Sequence, residues 1–395
     1  MTDWKWRRGG LTCLLFILLA LVSACHEDPE PEPGPGPVPP VKEVYSLKSL
    51  DEMTLREKVG QLFNVRPEAL DLTSDYTHSA ASSVLADGFS RYPVGGITLF
   101  AANIKNPSQI CAFTSFLHSL GNYPLLCIDE EGGRVARIAN NSNFSVVKYS
   151  SMEAVGATGD PKNAYTAGDD IGCYLSIYGF DVDLAPVSDV NTNPENVVIG
   201  NRAFGSSPQL VADFASQFLA GLQHNNVEGC LKHFPGHGDT KADTHYGYAE
   251  SLKTWDELLG CEMIPFRKGI ESGAQLIMTA HICLPSVTGE SIPATLSPLI
   301  LQDKLRGELG FKGLIITDSM AMGAITQQYS PAEAAIVAIE AGCDIILDPA
   351  DLPSAFEAVV SAVETGLIPM DQLNDRVDRI LALKKRILTA RGQLK

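Results

Sequence analysis

The sequence predicts an α/β protein built as a single (β/α)8 barrel of the TIM type. Three observations carry this. Short apolar runs alternate with helix-like segments from about Tyr45 onward, eight such runs can be counted, and they are spread over roughly 340 residues, a length that suits one large barrel. The runs are residues 60–66, 94–100, 125–131, 180–187, 227–234, 274–282, 313–320 and 343–349. A doubly wound open sheet is the competing architecture, but it usually shows a glycine-rich phosphate turn after its first strand, and none follows here.

Taken in chain order, the first residues stand apart from the barrel. Lys5, Arg7 and Arg8 precede an apolar run, residues 11–22, which ends in Leu21-Val22-Ser23-Ala24-Cys25. A basic start, a short apolar stretch and small residues before a cysteine read as a signal peptide, residues 1–24, with a lipobox that leaves Cys25 as a lipidated N-terminus. About a dozen apolar residues are too few to span a bilayer, which takes about twenty. Residues 25–44 are rich in Glu, Pro and Gly, cannot bury a core and read as an extended spacer. The expectation is an exported lipoprotein, anchored on the periplasmic side or the cell surface, with residues 45–395 forming the barrel.

Within the barrel, Thr54-Leu55-Arg56-Glu57 and Thr254-Trp255-Asp256-Glu257 have the capping-box spacing that starts helices. Residues 373–388 place apolar side chains at helical spacing before a basic end, which suits a closing outer helix. Apart from Cys13 and Cys25, the cysteines form an odd, scattered set that reads as buried small hydrophobes rather than a disulfide framework. With 30 Lys and Arg against 47 Asp and Glu, the formal charge of -17 argues against nucleic acid or an anionic membrane surface as the main partner. A neutral or cationic substrate fits better, and no obligate protein partner is evident.

In such a barrel, chemistry belongs where strands end and βα loops begin. The polar residues there are Asp129 with Glu130, Asp183, Asp189, Lys232 with His233, His281, Asp318 and Asp348. The densest segment, Lys232-His233-Phe234-Pro235-Gly236-His237-Gly238-Asp239-Thr240-Lys241-Ala242-Asp243-Thr244-His245, is too rich in Gly and Pro to be a helix. Its imidazoles and carboxylates could ligate zinc, but His233 and His237 lie on a loop rather than one helical face, so no metal or organic cofactor is expected. In an extended loop, positions two apart project to the same side. Asp243 can therefore accept from one nitrogen of His245 and leave the other aimed at a substrate, and the neighbouring anion favours the imidazolium that a general acid needs. The run Ile315-Ile316-Thr317-Asp318 ends in one carboxylate. Asp318 is either a structural residue capping the next helix or a nucleophile that attacks an anomeric carbon and gives a covalent glycosyl-enzyme with retention.

Lys232 to Gly238 followed by Asp243-Thr244-His245 resembles the signature of glycoside hydrolase family 3 β-N-acetylglucosaminidases, and Ile316-Thr317-Asp318-Ser319-Met320 resembles that family's nucleophile strand. Ile128-Asp129-Glu130-Glu131-Gly132-Gly133-Arg134-Val135, Asn201-Arg202-Ala203-Phe204-Gly205 and Met278-Thr279-Ala280-His281 match as well, in family order from about Leu50 to Leu388. The resemblance implies Asp318 as nucleophile, His245 as acid/base in place of a second carboxylate, and Asp243 tuning it. It also implies that Asp129, Arg137, Arg202, Lys232 and His233 hold the hydroxyls and acetamido group of the terminal sugar, with His281 as a supporting neighbour only. The expected reaction is exo-cleavage of non-reducing terminal β-linked N-acetylglucosamine from muropeptides, chitooligosaccharides or related glycans. The rivals are a family 3 β-glycosidase for another sugar, a phosphorylase using phosphate in place of water, and an anchored glycan-binding protein without turnover. Asp129-Glu130 also suggests the acid pair with which other hexosaminidases recruit the substrate acetamide. Neighbours on a strand point to opposite faces, so Asp129 is expected inward and Glu130 not.

Overall fold

The computed structural model describes residues 43–74, 76–240 and 249–395. The expected signal peptide, Cys25 and most of the spacer lie outside the described residues, and so do Asp243 and His245.

Each apolar run supplies a strand of one parallel sheet: β1 Phe63–Val65, β2 Gly96–Leu99, β3 Leu125–Ile128, β4 Val182–Asp183, β5 Glu228–Phe234, β6 Leu276–Thr279, β7 Leu314–Ile316 and β8 Ile346–Leu347. Every residue of these strands is buried, which is why the runs read as continuous rather than alternating. Strands lie beside their sequence neighbours from β1 to β7, and β8 pairs with β1 through Phe63↔Ile346 and Asn64↔Leu347. A parallel bridge between Ile316 and Ile345 joins β7 to the start of β8, so the sheet closes on itself. The α/β barrel expected from the sequence is the fold observed.

Helices cover the outside: α1 Leu55–Gln61, α2 Ser83–Arg91, α3 Pro107–His118, α4 Lys162–Ile177, α5 Pro208–His224, α6 Met263–Glu271, α7 Pro331–Ala341, α8 Leu352–Glu364 and α9 Met370–Ala390. The sixth crossover is a π-helical segment, Leu299–Glu308. Both expected capping boxes are present, at Thr54–Glu57 and Thr254–Glu257. The α4–α5 pair packs closely because both helices carry glycine at the crossing. A Cβ on Gly168 would stand 2.1 Å from the Phe218 carbonyl oxygen, and one on Gly221 would stand 2.3 Å from that of Tyr165.

Helix α9 extends beyond residues 373–388 at both ends, and its basic end is not wholly outward. Lys384 is fully buried, donating to Gln61 Oε1 at 2.6 Å and to the Asn122 carbonyl at 3.0 Å. Burial lowers its ammonium to about 7. The described cysteines are all free; Cys127, Cys230, Cys283 and Cys343 are buried, while Cys111 and Cys173 are exposed. Among the described residues no helix is long and apolar enough to cross a membrane.

Two buried aspartates pin the face where strands begin. Asp181, just before β4, accepts from His118, Tyr123, the Leu126 amide and Arg391. Asp344, just before β8, accepts from Arg306, Arg379 and the Ile315 amide. On the same face the Tyr45 amide donates to the Gln393 carbonyl at 2.8 Å, and the Lys395 amide donates to the Tyr45 carbonyl at 2.9 Å.

Candidate active site

At the opposite face, where strands end, a cavity of about 410 Å³ opens among the βα loops. The described residues expected at the site all line it: Asp129, Arg137, Arg202, Lys232, His233 and Asp318.

The tip of β3 explains how two acids of three reach this cavity. Side chains alternate along an extended chain, so Asp129 and Glu131 face in and Glu130 faces away. Glu130 accepts from the amides of Arg137, Ile138 and Ala139 at 2.6, 2.9 and 2.8 Å and from the Tyr174 hydroxyl at 2.9 Å. It is thus committed to holding the following loop, and does not line the cavity with Asp129. A short hairpin, Glu130–Gly132 with Val135–Ala136, returns the chain to the cavity at Arg137. Its turn needs glycine, because Gly132 and Gly133 adopt φ of 86° and 65°.

Around these acids sits a ring of cations. Lys232 Nζ lies 2.8 Å from Asp129 Oδ1 and 2.6 Å from Glu131 Oε1. Arg202 grips Glu131 with two parallel bonds of 2.8 and 2.7 Å, and Arg137 Nη2 lies 3.1 Å from Asp129 Oδ2. Burial opposes the charged forms of Asp129, Glu131, Arg202 and Lys232, yet mutual attraction prevails. Lys232 is held above its usual value by Asp129 and Glu131, and Glu131 is held well below its own by Arg202 and Lys232. Three cations against two carboxylates leave this wall of the cavity rich in donors. Arg137 Nε is buried with no protein hydrogen-bond partner among the described residues, a donor suited to a ligand oxygen.

His233 is oriented from behind. Its Nδ1 donates to Asp189 Oδ2 at 2.7 Å, while Asp189 Oδ1 accepts from the amides of His233 and His237 at 3.2 and 2.7 Å. That assignment leaves Nε2, 3.4 Å from Arg202 Nη2, to accept. Lys232, His233 and Phe234 belong to β5 itself rather than to the loop, so their directions are set by the barrel. Further along, Asn196 Nδ2 donates to the His237 carbonyl at 2.7 Å, and Asn193 Nδ2 donates to those of Asp239 and Thr240 at 3.3 and 3.2 Å. Ser251 Oγ donates to Asp239 Oδ2 at 2.6 Å, which joins the described residues on either side of 241–248.

Asp318 follows β7, with its amide bonded to the Thr279 carbonyl at 3.2 Å. The next helix, Gly323–Thr326, has Met322 at its N-cap, so Asp318 does not cap it. Instead Asp318 Oδ1 accepts from the Ser319 amide at 2.7 Å, and Ser319 Oγ donates to Asp348 Oδ2 at 2.8 Å. Asp348 has φ of 49°, a left-handed conformation costing about 1 kcal/mol or more for a residue with a side chain. A fork from Arg66 grips its carboxylate. His281 is fully buried and donates from Nε2 to the Ser319 carbonyl at 3.0 Å, so it supports the segment beside Asp318 and does not line the cavity.

Glu131, Arg66, Asp348, Asp189 and Ser319 are among the polar residues whose parts at the site the sequence left unassigned. Strand alternation from Asp129 pointed to Glu131. The Arg66–Asp348 pair was within reach too, since closing a barrel makes the ends of β1 and β8 neighbours.

Residues 54–383 match the family model described as the glycosyl hydrolase family 3 N terminal domain. The chain is 36% identical over 334 residues to Beta-hexosaminidase A of Pseudoalteromonas piscicida, covering 77% of this chain and 55% of that protein. It is also 36% identical over 275 residues to Beta-hexosaminidase of Nitrosomonas eutropha, covering 68% of this chain and 77% of that one. Among solved structures, a glycoside hydrolase family 3 beta-N-acetylglucosaminidase from Paenibacillus sp. str. FPU-7 superposes with a TM-score of 0.79 at 36% identity, over 86% of this chain and 63% of its own. The chain thus spans little more than half the length of the first of these relatives and under two thirds of the Paenibacillus protein. With that match running through every barrel strand and the cavity they support, the chain belongs to glycosyl hydrolase family 3.

Proposed function

We propose that the protein is a retaining exo-β-N-acetylglucosaminidase that removes terminal non-reducing β-linked N-acetylglucosamine from an amino-sugar glycan. One observation carries this reading: Asp318 lines the same cavity as the Asp129, Arg137, Arg202, Lys232 and His233 wall. A carboxylate nucleophile and a donor-rich sugar site thereby share one space. The names of the similar proteins support the amino-sugar specificity. In this reading Asp318 attacks the anomeric carbon, and His245, tuned by Asp243, protonates the leaving oxygen and then activates water. Muropeptides and chitooligosaccharides are the substrates to try first. Export and anchoring through a lipidated Cys25 complete the proposal, supported by the pattern of residues 1–25.

Release of p-nitrophenol from the β-N-acetylglucosaminide and from the β-glucoside tests the reading. Turnover of the amino sugar alone is expected, with Asp318→Ala losing at least about 10³-fold in kcat. Equal turnover of the glucoside, or an active Asp318→Ala, overturns it. Product analysis with added phosphate identifies a phosphorylase if a sugar 1-phosphate appears. Cys25→Ala should move the protein from the membrane fraction to the soluble fraction, and unchanged partitioning refutes the anchor.

A further inference from the structure

Three cavity residues, Arg66, Asp348 and Ser319, form a bonded chain beside Asp318 that is separate from the Asp129 and Glu131 acids and their cations. We propose that Arg66, Asp348 and Ser319 are positioning residues that hold the Asp318 carboxylate in its attacking orientation, an inference that rests on Asp318 being the nucleophile. The Ser319 amide occupies Asp318 Oδ1 at 2.7 Å, and no other protein bond to this carboxylate is found among the described residues. Oδ2 is therefore the oxygen left to face an anomeric carbon, and the direction in which it faces follows from where Ser319 is held.

Ser319 is held from three sides. Its hydroxyl donates to Asp348 Oδ2 at 2.8 Å, its carbonyl accepts from His281 Nε2 at 3.0 Å, and the next amide, of Met320, bonds to the Leu347 carbonyl at 2.9 Å. The hydroxyl bond depends in turn on Asp348, whose left-handed backbone aims its carboxylate at Ser319. Arg66 fixes that carboxylate with two bonds while its guanidinium lies 4.9 Å from the centre of the Phe100 ring. Both acids meet one serine, so an uncompensated Asp348 would repel the nucleophile, and the Arg66 charge offsets this. A left-handed aspartate, a two-bond arginine grip and a serine bridging two carboxylates have no need to coincide for stability alone. They do coincide at Ser319, whose amide bonds the Asp318 carboxylate.

The test uses the full chain and the p-nitrophenyl β-N-acetylglucosaminide, with kcat and KM measured for Ser319→Ala, Asp348→Asn and Ser319→Thr. The rate at which a slow 5-fluoro N-acetylglucosaminyl fluoride labels the protein, read by intact mass, reports nucleophilic attack itself. Ser319→Ala and Asp348→Asn are expected to lose about 10-fold or more in both kcat and labelling rate, with KM within about twofold. Ser319→Thr, which keeps the hydroxyl, should recover most of the loss. Calorimetric binding of N-acetylglucosamine should be unchanged in all three. Wild-type kcat in both deletion variants overturns the inference. So does a loss confined to KM, which would place the chain on the sugar, and so does failure of Ser319→Thr to rescue or loss of sugar binding, which would make its role structural. Asp318→Ala run alongside separates the two levels: turnover there defeats the nucleophile reading, whereas an inactive Asp318→Ala beside a normal Ser319→Ala defeats only the positioning chain.

Discussion

Glu131 is almost completely buried, and it is tolerated there because Arg202 and Lys232 both bond to it. Removing Arg202 takes two bonds from Glu131 and leaves it Lys232, which Asp129 shares, at a cost of about 1–3 kcal/mol. Arg202→Met should therefore lower the free energy of urea unfolding by about that amount, beside raising KM, while Glu131→Gln in the same background should restore part of the stability. An exposed pair would give neither result. Residues of this kind were only partly legible. Asp129, Lys232, His233 and Asp318 stood out because polar side chains at the ends of apolar runs have few other reasons to be there, whereas Arg202 and Arg137 came only from the family resemblance. The pairing of Arg66 with Asp348 follows only once the barrel is closed, because closure, and not spacing along the chain, makes the ends of β1 and β8 neighbours.

Helices and strands were more legible than their contacts. Eight apolar runs became eight strands because both sheet faces are covered, but the strands are shorter than the runs. In residues 180–187 the regular pairing stops at Asp183, three residues before Pro186, whose missing N–H removes a ladder donor. The inward Lys384 went unseen for a related reason: helical spacing marks a face as apolar or polar, and a long cation within reach of Gln61 and Asn122 crosses that boundary. The α4–α5 crossing is the element-scale case where packing outranks propensity. In an exposed helix, Gly→Ala stabilises by about 1 kcal/mol. At Gly168 the added carbon meets the Phe218 carbonyl, which belongs to a helix backbone and cannot yield locally. Gly168→Ala should instead destabilise by about 1–3 kcal/mol, seen as a lower thermal midpoint, and a rise would show that the two helices are free to separate.

For the whole molecule, chemistry and stability occupy opposite ends of the barrel. The end where strands begin holds Asp181, Asp344 and, on the inner side of α9, the buried Lys384. Burial places the Lys384 ammonium at about 7, below the roughly 10.4 of an unfolded lysine. Below pH 7 both states carry the proton and burial of the charge is fully felt. Between about 7 and 10 the unfolded chain keeps the proton that the folded one has lost, so stability rises with pH in that window. Urea unfolding should show the wild type gaining about 1–3 kcal/mol from pH 7 to pH 9 relative to Lys384→Met, and parallel pH profiles would refute it.

The backbone bonds between Tyr45 and the pair Gln393 and Lys395 lie at this same end, away from the cavity. Between Tyr45 and Lys395 the polypeptide is in effect a ring with a single cut, and the cut sits at the end of the barrel away from the cavity. Closing it with a short linker and reopening the ring at the exposed turn around Gly159, where a side chain would meet nothing, would give a circular permutant. Its eight strands would follow one another around the same barrel in a new order of synthesis, with every cavity residue still on its own strand.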